Sequence, residues 1–282
     1  MLYDPAGVPA PSGSVSQWES DLTKIAGPLR LAAKYELEGL FTRLADVLKA
    51  TWPEDLHAWT KRTETIQSWR HTINGKSLLD LGLVSHPDPW RAIDLATSAS
   101  IPSVLPAAFY DLHVQTSLVS AVANELGGPA RPNDPYLVWD KTHDRFTASQ
   151  IWQLTRGREW LRLIVTRFMT TTLPAELKRQ YGECTQSQAC QVGKDNVLKI
   201  SSSHARYNEL YNDPLWGLYR MKKDVWRELE QMNMCATCGS WNTSTIEGLR
   251  DYIWAEMPYF FGLEERKDGS NYGYRDHIPP FF

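Results

Sequence analysis

At 88–89 and at 213–214 the dipeptide Asp-Pro stands just ahead of apolar residues spaced by threes and fours. An aspartate side chain accepts from backbone N–H groups that have no partner at a helix start. A proline suits the first helical position, where its missing N–H costs nothing. After the first signal the apolar stripe is Trp90, Ile93 and Ala96; after the second it is Leu215, Leu218, Val225, Leu229 and Met232. Such spacing lines one face of a helix. It recurs in Leu37, Leu40, Phe41, Leu44 and Leu48, within a pattern that turns helical from Pro28. It recurs again in Ile246, Leu249, Ile253, Met257 and Phe260, over 243–261. Thr147 to Gln150 spells a capping box ahead of Ile151, Leu154, Leu161, Val165 and Phe168. No alternating strand run and no fixed-period repeat interrupts this pattern. The expected fold is mainly α, an irregular helical architecture.

The punctuation between stripes predicts the connections. Residues 1–20, rich in Pro, Gly and Ser, read as irregular. Trp52-Pro53 ends one helix, and Pro53 sits in the first turn of another, with Glu54 and Asp55 at its positive end. The stretch 60–87 is less periodic, with turns at Asn74-Gly75 and His86-Pro87. Ile101-Pro102 interrupts, and Ser103 and Pro106 open a helix through Ala107, Phe109, Tyr110 and Leu112. Residues 127–140 hold three prolines and read as a long loop; residues 182–203, with Ser201-Ser202-Ser203, read as loop-rich.

Charge narrows the function classes. Thirty Lys and Arg against 33 Asp and Glu leave −3, so the chain as a whole has no pull on nucleic acid. Its basic clusters, Lys178-Arg179 and Arg220 to Lys223, sit among carboxylates and read as solvated helix faces. No run of about 18 apolar residues is present to cross a membrane. The N-terminus lacks the basic start and apolar stretch of a secretory signal. Four cysteines are too few for a disulfide-built scaffold, so a cytoplasmic or nuclear location with reduced or metal-bound thiols is expected. Twelve tryptophans offer core material, and Trp90, Trp152, Trp160, Trp226 and Trp254 read as helix packing rather than a ligand cage.

The strongest chemical signal is Cys184-x5-Cys190 followed by Cys235-x2-Cys238. Four thiolates can enclose one tetrahedral structural zinc ion, pinning a loop to a helix junction. The second pair has ligand spacing; the first is wider than the usual two to four residues. The same residues read equally as four reduced thiols, buried as small hydrophobes. A redox role for Cys235-Ala-Thr-Cys238 is a third reading, but that motif belongs between a strand and a helix, and this region reads as helix–turn–helix. His204 alone lies between the cysteine pairs and is a substitute ligand; the other histidines are scattered. Glu36 and Glu38 point to different faces and form no acid/base pair, and Glu264-Glu265 read as solvent-facing. Gly127-Gly128 lacks the flanking residues of a phosphate loop. No catalytic residue is assigned.

Several segments resemble a family of BTB/POZ-domain proteins of mushroom-forming fungi. They are Leu2-Tyr3-Asp4-Pro5; Leu29-Arg30-Leu31-Ala32-Ala33-Lys34-Tyr35 continuing to Leu40; Ala92-Ile93-Asp94-Leu95-Ala96; Ile101 to Tyr110, with its Leu-Pro-Ala-Ala-Phe-Tyr run; and Trp254 to Leu263, with its Phe-Gly-Leu ending. A cysteine pair followed by Cys-x-x-Cys belongs to the same likeness, which covers residues 2–265. The resemblance implies the C-terminal part of a BTB/POZ domain at 1–52, a helical region at 53–265 pinned by zinc if the metal is bound, and a tail at 266–282. It implies that the front of the BTB domain is missing, and with it the usual surface for dimerisation and cullin docking. It implies no catalytic residues. The expected function is non-enzymatic protein–protein interaction of adaptor type, with protein partners and neither nucleic acid nor membrane. The competing expectations are an enzyme with a thiol-based site at Cys235 and Cys238, or a zinc-dependent nucleic-acid binder.

Overall fold

A computed structural model describes residues 15–73, 88–125, 146–178, 184, 187–231 and 234–265. These are mostly helical, with no strand among the described residues, so the mainly α class holds. The chain divides into two compact units, Met1–Thr147 and Ala148–Phe282. The turns at 74–75 and 86–87, the loop at 127–140 with Gly127-Gly128, the Leu2–Pro5 segment and the tail at 266–282 lie outside the described residues.

The first unit contains α1 (Val15–Lys34), α2 (Glu38–Thr51), α3 (Leu56–Ile73), α4 (Pro89–Ser98), a 3₁₀ turn (Pro102–Val104) and α5 (Leu105–Glu125). Helix α1 packs on α2 and α4, and α4 on α5. The expected helix from Pro28 is two helices. The first starts at Val15, inside the stretch read as irregular, and carries Pro28 in its interior. The break after it is a Schellman motif, in which Leu37 N–H donates to the Ala32 carbonyl (2.9 Å) and Glu36 N–H to that of Ala33 (3.4 Å). Its left-handed position is held by Glu36 (φ 53°) rather than by glycine. Leu37 therefore lies at the exposed corner, while Leu44 and Leu48 are buried as expected.

Asp88 caps α4 as its sequence foretells, accepting from Trp90 N–H at 3.0 Å. That helix too ends in a Schellman turn without glycine: Ser100 has φ 58°, and Ile101 N–H donates to the Ala96 carbonyl (2.8 Å). Helix α3 starts at Leu56, three residues beyond Pro53, because Asp55 Oδ1 accepts from Ala58 N–H (2.8 Å) and sets the cap there. It then runs unbroken through the less periodic residues to Ile73.

A buried polar knot joins three parts of this unit. Asp111 on α5 accepts from Trp52 Nε1 (3.0 Å) and from both terminal nitrogens of Arg62 on α3 (3.2 and 2.5 Å). The Arg62 guanidinium lies 5.8 Å from the centre of the Trp52 ring, and Trp59 meets Tyr110 edge-on at 5.4 Å. Trp52 thus belongs to the same core as α3 and α5 within the first unit.

The second unit contains α6 (Ala148–Arg167), a π-helical turn (Phe168–Thr172), α7 (Leu173–Lys178), α8 (Ser187–Ser201), α9 (His204–Asn212), α10 (Pro214–Gln231) and α11 (Ala236–Phe260). Helix α6 begins directly after Thr147, where the capping box places it. Asp213 Oδ1 accepts from Trp216 N–H (3.2 Å) at the start of α10. Leu215, Leu218 and Met221 are buried on α10, and Ile246, Leu249, Ile253, Met257 and Phe260 are buried on α11. Helix α11 starts seven residues earlier than the apolar stripe indicates. Helices α10 and α11 form the most extensive pairing, joined further by Arg250 Nε donating to the Leu215 carbonyl (3.1 Å).

Two expectations for this unit need correction. Residues 187–201 form helix α8, not loop, because Cys190, Gly193, Lys194, Val197 and Ser201 line one buried face. Ile151 and Trp152, read as core, are exposed, Trp152 by 56%. Trp152 instead carries Arg156 over its ring (5.1 Å) and lies against Gly262.

The first and last helices of this unit clasp. The Phe261 ring is fully buried against Gly157, where an added Cβ would stand 2.1 Å from two ring carbons. Trp160 stacks on Phe260 at 5.8 Å. Gly262 (φ 63°) closes α11, its N–H donating to the Tyr259 carbonyl (3.1 Å), while Leu263 N–H donates to Pro258 (2.8 Å). Alanine normally favours a helix over glycine by about 1 kcal/mol. At 157 the sign reverses: Gly157→Ala should destabilise by about 1–3 kcal/mol, because the ring has nowhere to go. A lowered urea midpoint is the expected reading.

Candidate metal centre

The two cysteine pairs reach one place by the same local device. Cys184 precedes α8 by three residues and Cys190 lies in its first turn; Cys235 is the capping residue just ahead of α11 and Cys238 lies in its first turn. Helix N-termini carry partial positive charge from unpaired N–H groups, which favours thiolate over thiol. Cys235 N–H indeed donates to Cys190 Sγ at 3.3 Å.

All four Sγ atoms lie within 4.8 Å of one another, and those of Cys184 and Cys235 are 4.0 Å apart. A tetrahedral zinc ion with bonds of about 2.3 Å sets its sulfurs about 3.8 Å apart. The cluster therefore needs only a small contraction to close on such an ion, and four thiols can hold a metal here. The inner pair is deeply buried, Cys190 at 2% exposure and Cys238 at 0%, while Cys184 and Cys235 are half-buried. In the metal-free protein, burial pushes the thiols of Cys190 and Cys238 up, and the neighbouring cysteines push Cys238 further in the same direction. A bound divalent cation inverts this preference and deprotonates its thiol ligands.

The turn ahead of Cys235 is pressed onto α8. A Cβ at Gly193 would meet Met234 Sδ at 2.2 Å, so this helix has no side chain where Met234 crosses it. Lys194, 5% exposed, shares that buried face one turn beyond Cys190. Gly193 and Lys194 went unnoticed in the sequence. A glycine and a lysine in a polar stretch carry no periodic signal, although their spacing from Cys190 puts them on its face.

His204 does not join the cluster. It stands exposed at the first residue of α9, its Nε2 3.1 Å from Asn208 Nδ2. Glu36, Glu38, Glu264 and Glu265 are all exposed. Trp90 is buried, whereas Trp160 and Trp254 are half-buried. No helix among the described residues is long and apolar enough to cross a membrane. No family profile, curated protein or solved structure matches the chain.

Proposed function

We propose that the protein is a non-enzymatic protein-interaction module of adaptor type, whose second unit is held together by one structural zinc ion at Cys184, Cys190, Cys235 and Cys238. The observation that carries this reading is the convergence of four thiols from two helix starts. Four protein ligands fill a tetrahedral shell and leave no position for substrate or an activated water, which is the arrangement of structural rather than catalytic zinc. Burial and the neighbouring cysteines push the Cys238 thiol up, which is the reverse of what a nucleophile at that position needs.

The interaction half rests on the likeness to BTB/POZ proteins and on an uncovered apolar corner in the first unit. Leu31 lies in the last turn of α1, and Tyr35, whose N–H donates to the Leu31 carbonyl (2.9 Å), and Leu37 follow just beyond it; all three are exposed, Tyr35 by 62%. Large apolar side chains grouped in this way mark interaction surfaces.

Native mass spectrometry of reduced protein tests the metal. An excess of about 65 Da per chain, lost with chelator, is expected, and a bare mass would remove the zinc. A photo-crosslinking amino acid in place of Tyr35 tests the partner. A discrete protein adduct, abolished by Leu31→Asp, is expected in cells, and its absence would remove the interaction reading.

A further inference from the structure

We propose that Cys184 and Cys235 are a hydroperoxide-sensing thiol pair within the metal centre, which closes to a disulfide and releases the zinc. This rests on the structural-zinc reading above and adds a reaction to that site. Three observations divide the four cysteines into two unlike pairs. Cys184 and Cys235 are the half-buried ones, whereas Cys190 and Cys238 are sealed from solvent. The Sγ atoms of the outer pair are already 4.0 Å apart. Both outer cysteines also stand outside helical segments, Cys184 ahead of α8 and Cys235 ahead of α11, while the inner two are fixed within helices.

A disulfide needs its sulfurs about 2.05 Å apart. Backbone outside a helix can supply the missing distance without breaking helical hydrogen bonds, whereas Cys190 and Cys238 are held within helices. Access works in the same direction, because oxidation selects exposed thiolates over buried ones.

The chemistry balances as follows. One outer thiolate attacks the terminal oxygen of a hydroperoxide, the O–O bond breaks, and the released alkoxide takes a proton from water to leave as an alcohol. The resulting sulfenic acid is attacked at sulfur by the other thiolate; the S–S bond forms and hydroxide leaves, taking a second proton. Two thiolates lose two electrons and the peroxide gains them. Zinc, left with two ligands, departs. Cys190 and Cys238 then each take a proton from water and pack as small hydrophobes. The inner pair keeps its place in the core, and a reductant with zinc restores the site.

The test uses the full chain, loaded with zinc and treated with stoichiometric hydrogen peroxide beside a chromogenic zinc indicator, followed by peptide mass mapping. One zinc released per disulfide is expected, with the Cys184 and Cys235 peptides joined and Cys190 and Cys238 still alkylatable after denaturation. A cross-link involving Cys190 or Cys238, or zinc retained under excess peroxide, would overturn the proposal. Cys184→Asp keeps an oxygen ligand but cannot form the disulfide, and should slow peroxide-driven release at least tenfold; an unchanged rate would also overturn it. Zinc content is measured first. A zinc-free protein would remove the structural-zinc reading and the release step together. The peptide map of the reduced metal-free chain would still decide which cysteines pair.

Discussion

Cys238→Ala should yield a chain that carries no zinc and has lost much of the helical signal of its second unit. Alanine suits the first turn of α11, so the substitution removes a ligand without disturbing the helix start. Binding energy at a structural zinc site is folding energy, with apparent values of about 10–16 kcal/mol in small zinc domains. Even a fraction of that rivals the whole stability of an ordinary domain, about 5–15 kcal/mol. Thermal melting by far-UV circular dichroism, read alongside metal content, is the measurement. Chelator added to the unmodified chain should reproduce the mutant melt, while His204→Ala should leave both melt and metal unchanged. A Cys238→Ala protein that melts like its parent would show that the thiols hold nothing.

The second large effect belongs to the buried knot in the first unit. Asp111→Ala strands the Arg62 guanidinium inside the core and removes the acceptor of Trp52 Nε1. Breaking a buried ion pair from one side costs about 3–5 kcal/mol, because the remaining charge has neither water nor partner. Urea unfolding followed by tryptophan fluorescence should show a loss of that size. The double variant Asp111→Leu with Arg62→Met should regain much of it, since apolar replacements of similar volume remove the stranded charge. If the double variant is as unstable as the single one, the lost term is packing around Trp52 rather than the charge.

What could be read from the sequence follows the range over which each signal acts. Asp88 and Asp213 cap helices within three residues of themselves, so their effect is visible in a short window. The C-terminal ends of α1 and α4 are harder. The residue that usually announces a left-handed stop is glycine, and Glu36 and Ser100 occupy those positions instead. Helix α8 hides for a different reason: among its buried residues Cys190, Gly193, Lys194, Val197 and Ser201, only Val197 is strongly apolar. This face is buried by the other cysteines, by the crossing of Met234 some 40 positions away and by packing against α7 and α10, none of which a window on α8 shows. The cysteine site shows the same division. Cys235-x2-Cys238 has the spacing that a helix start imposes and is legible. Cys184-x5-Cys190 is wider because the chain must first travel to the start of α8. Gly157 gives no sign of its role, since the ring it receives is 104 residues further on.

The clasp between α6 and α11 has a topological consequence. Trp152 and Arg156, near the start of the second unit, lie against Gly262, near the last of its described residues. The described residues of this unit, 148–265, therefore begin and end at one spot, as though at a single doorway. A segment whose described residues 148–265 start and finish together can be spliced into a surface loop of another protein without stretching either host or guest.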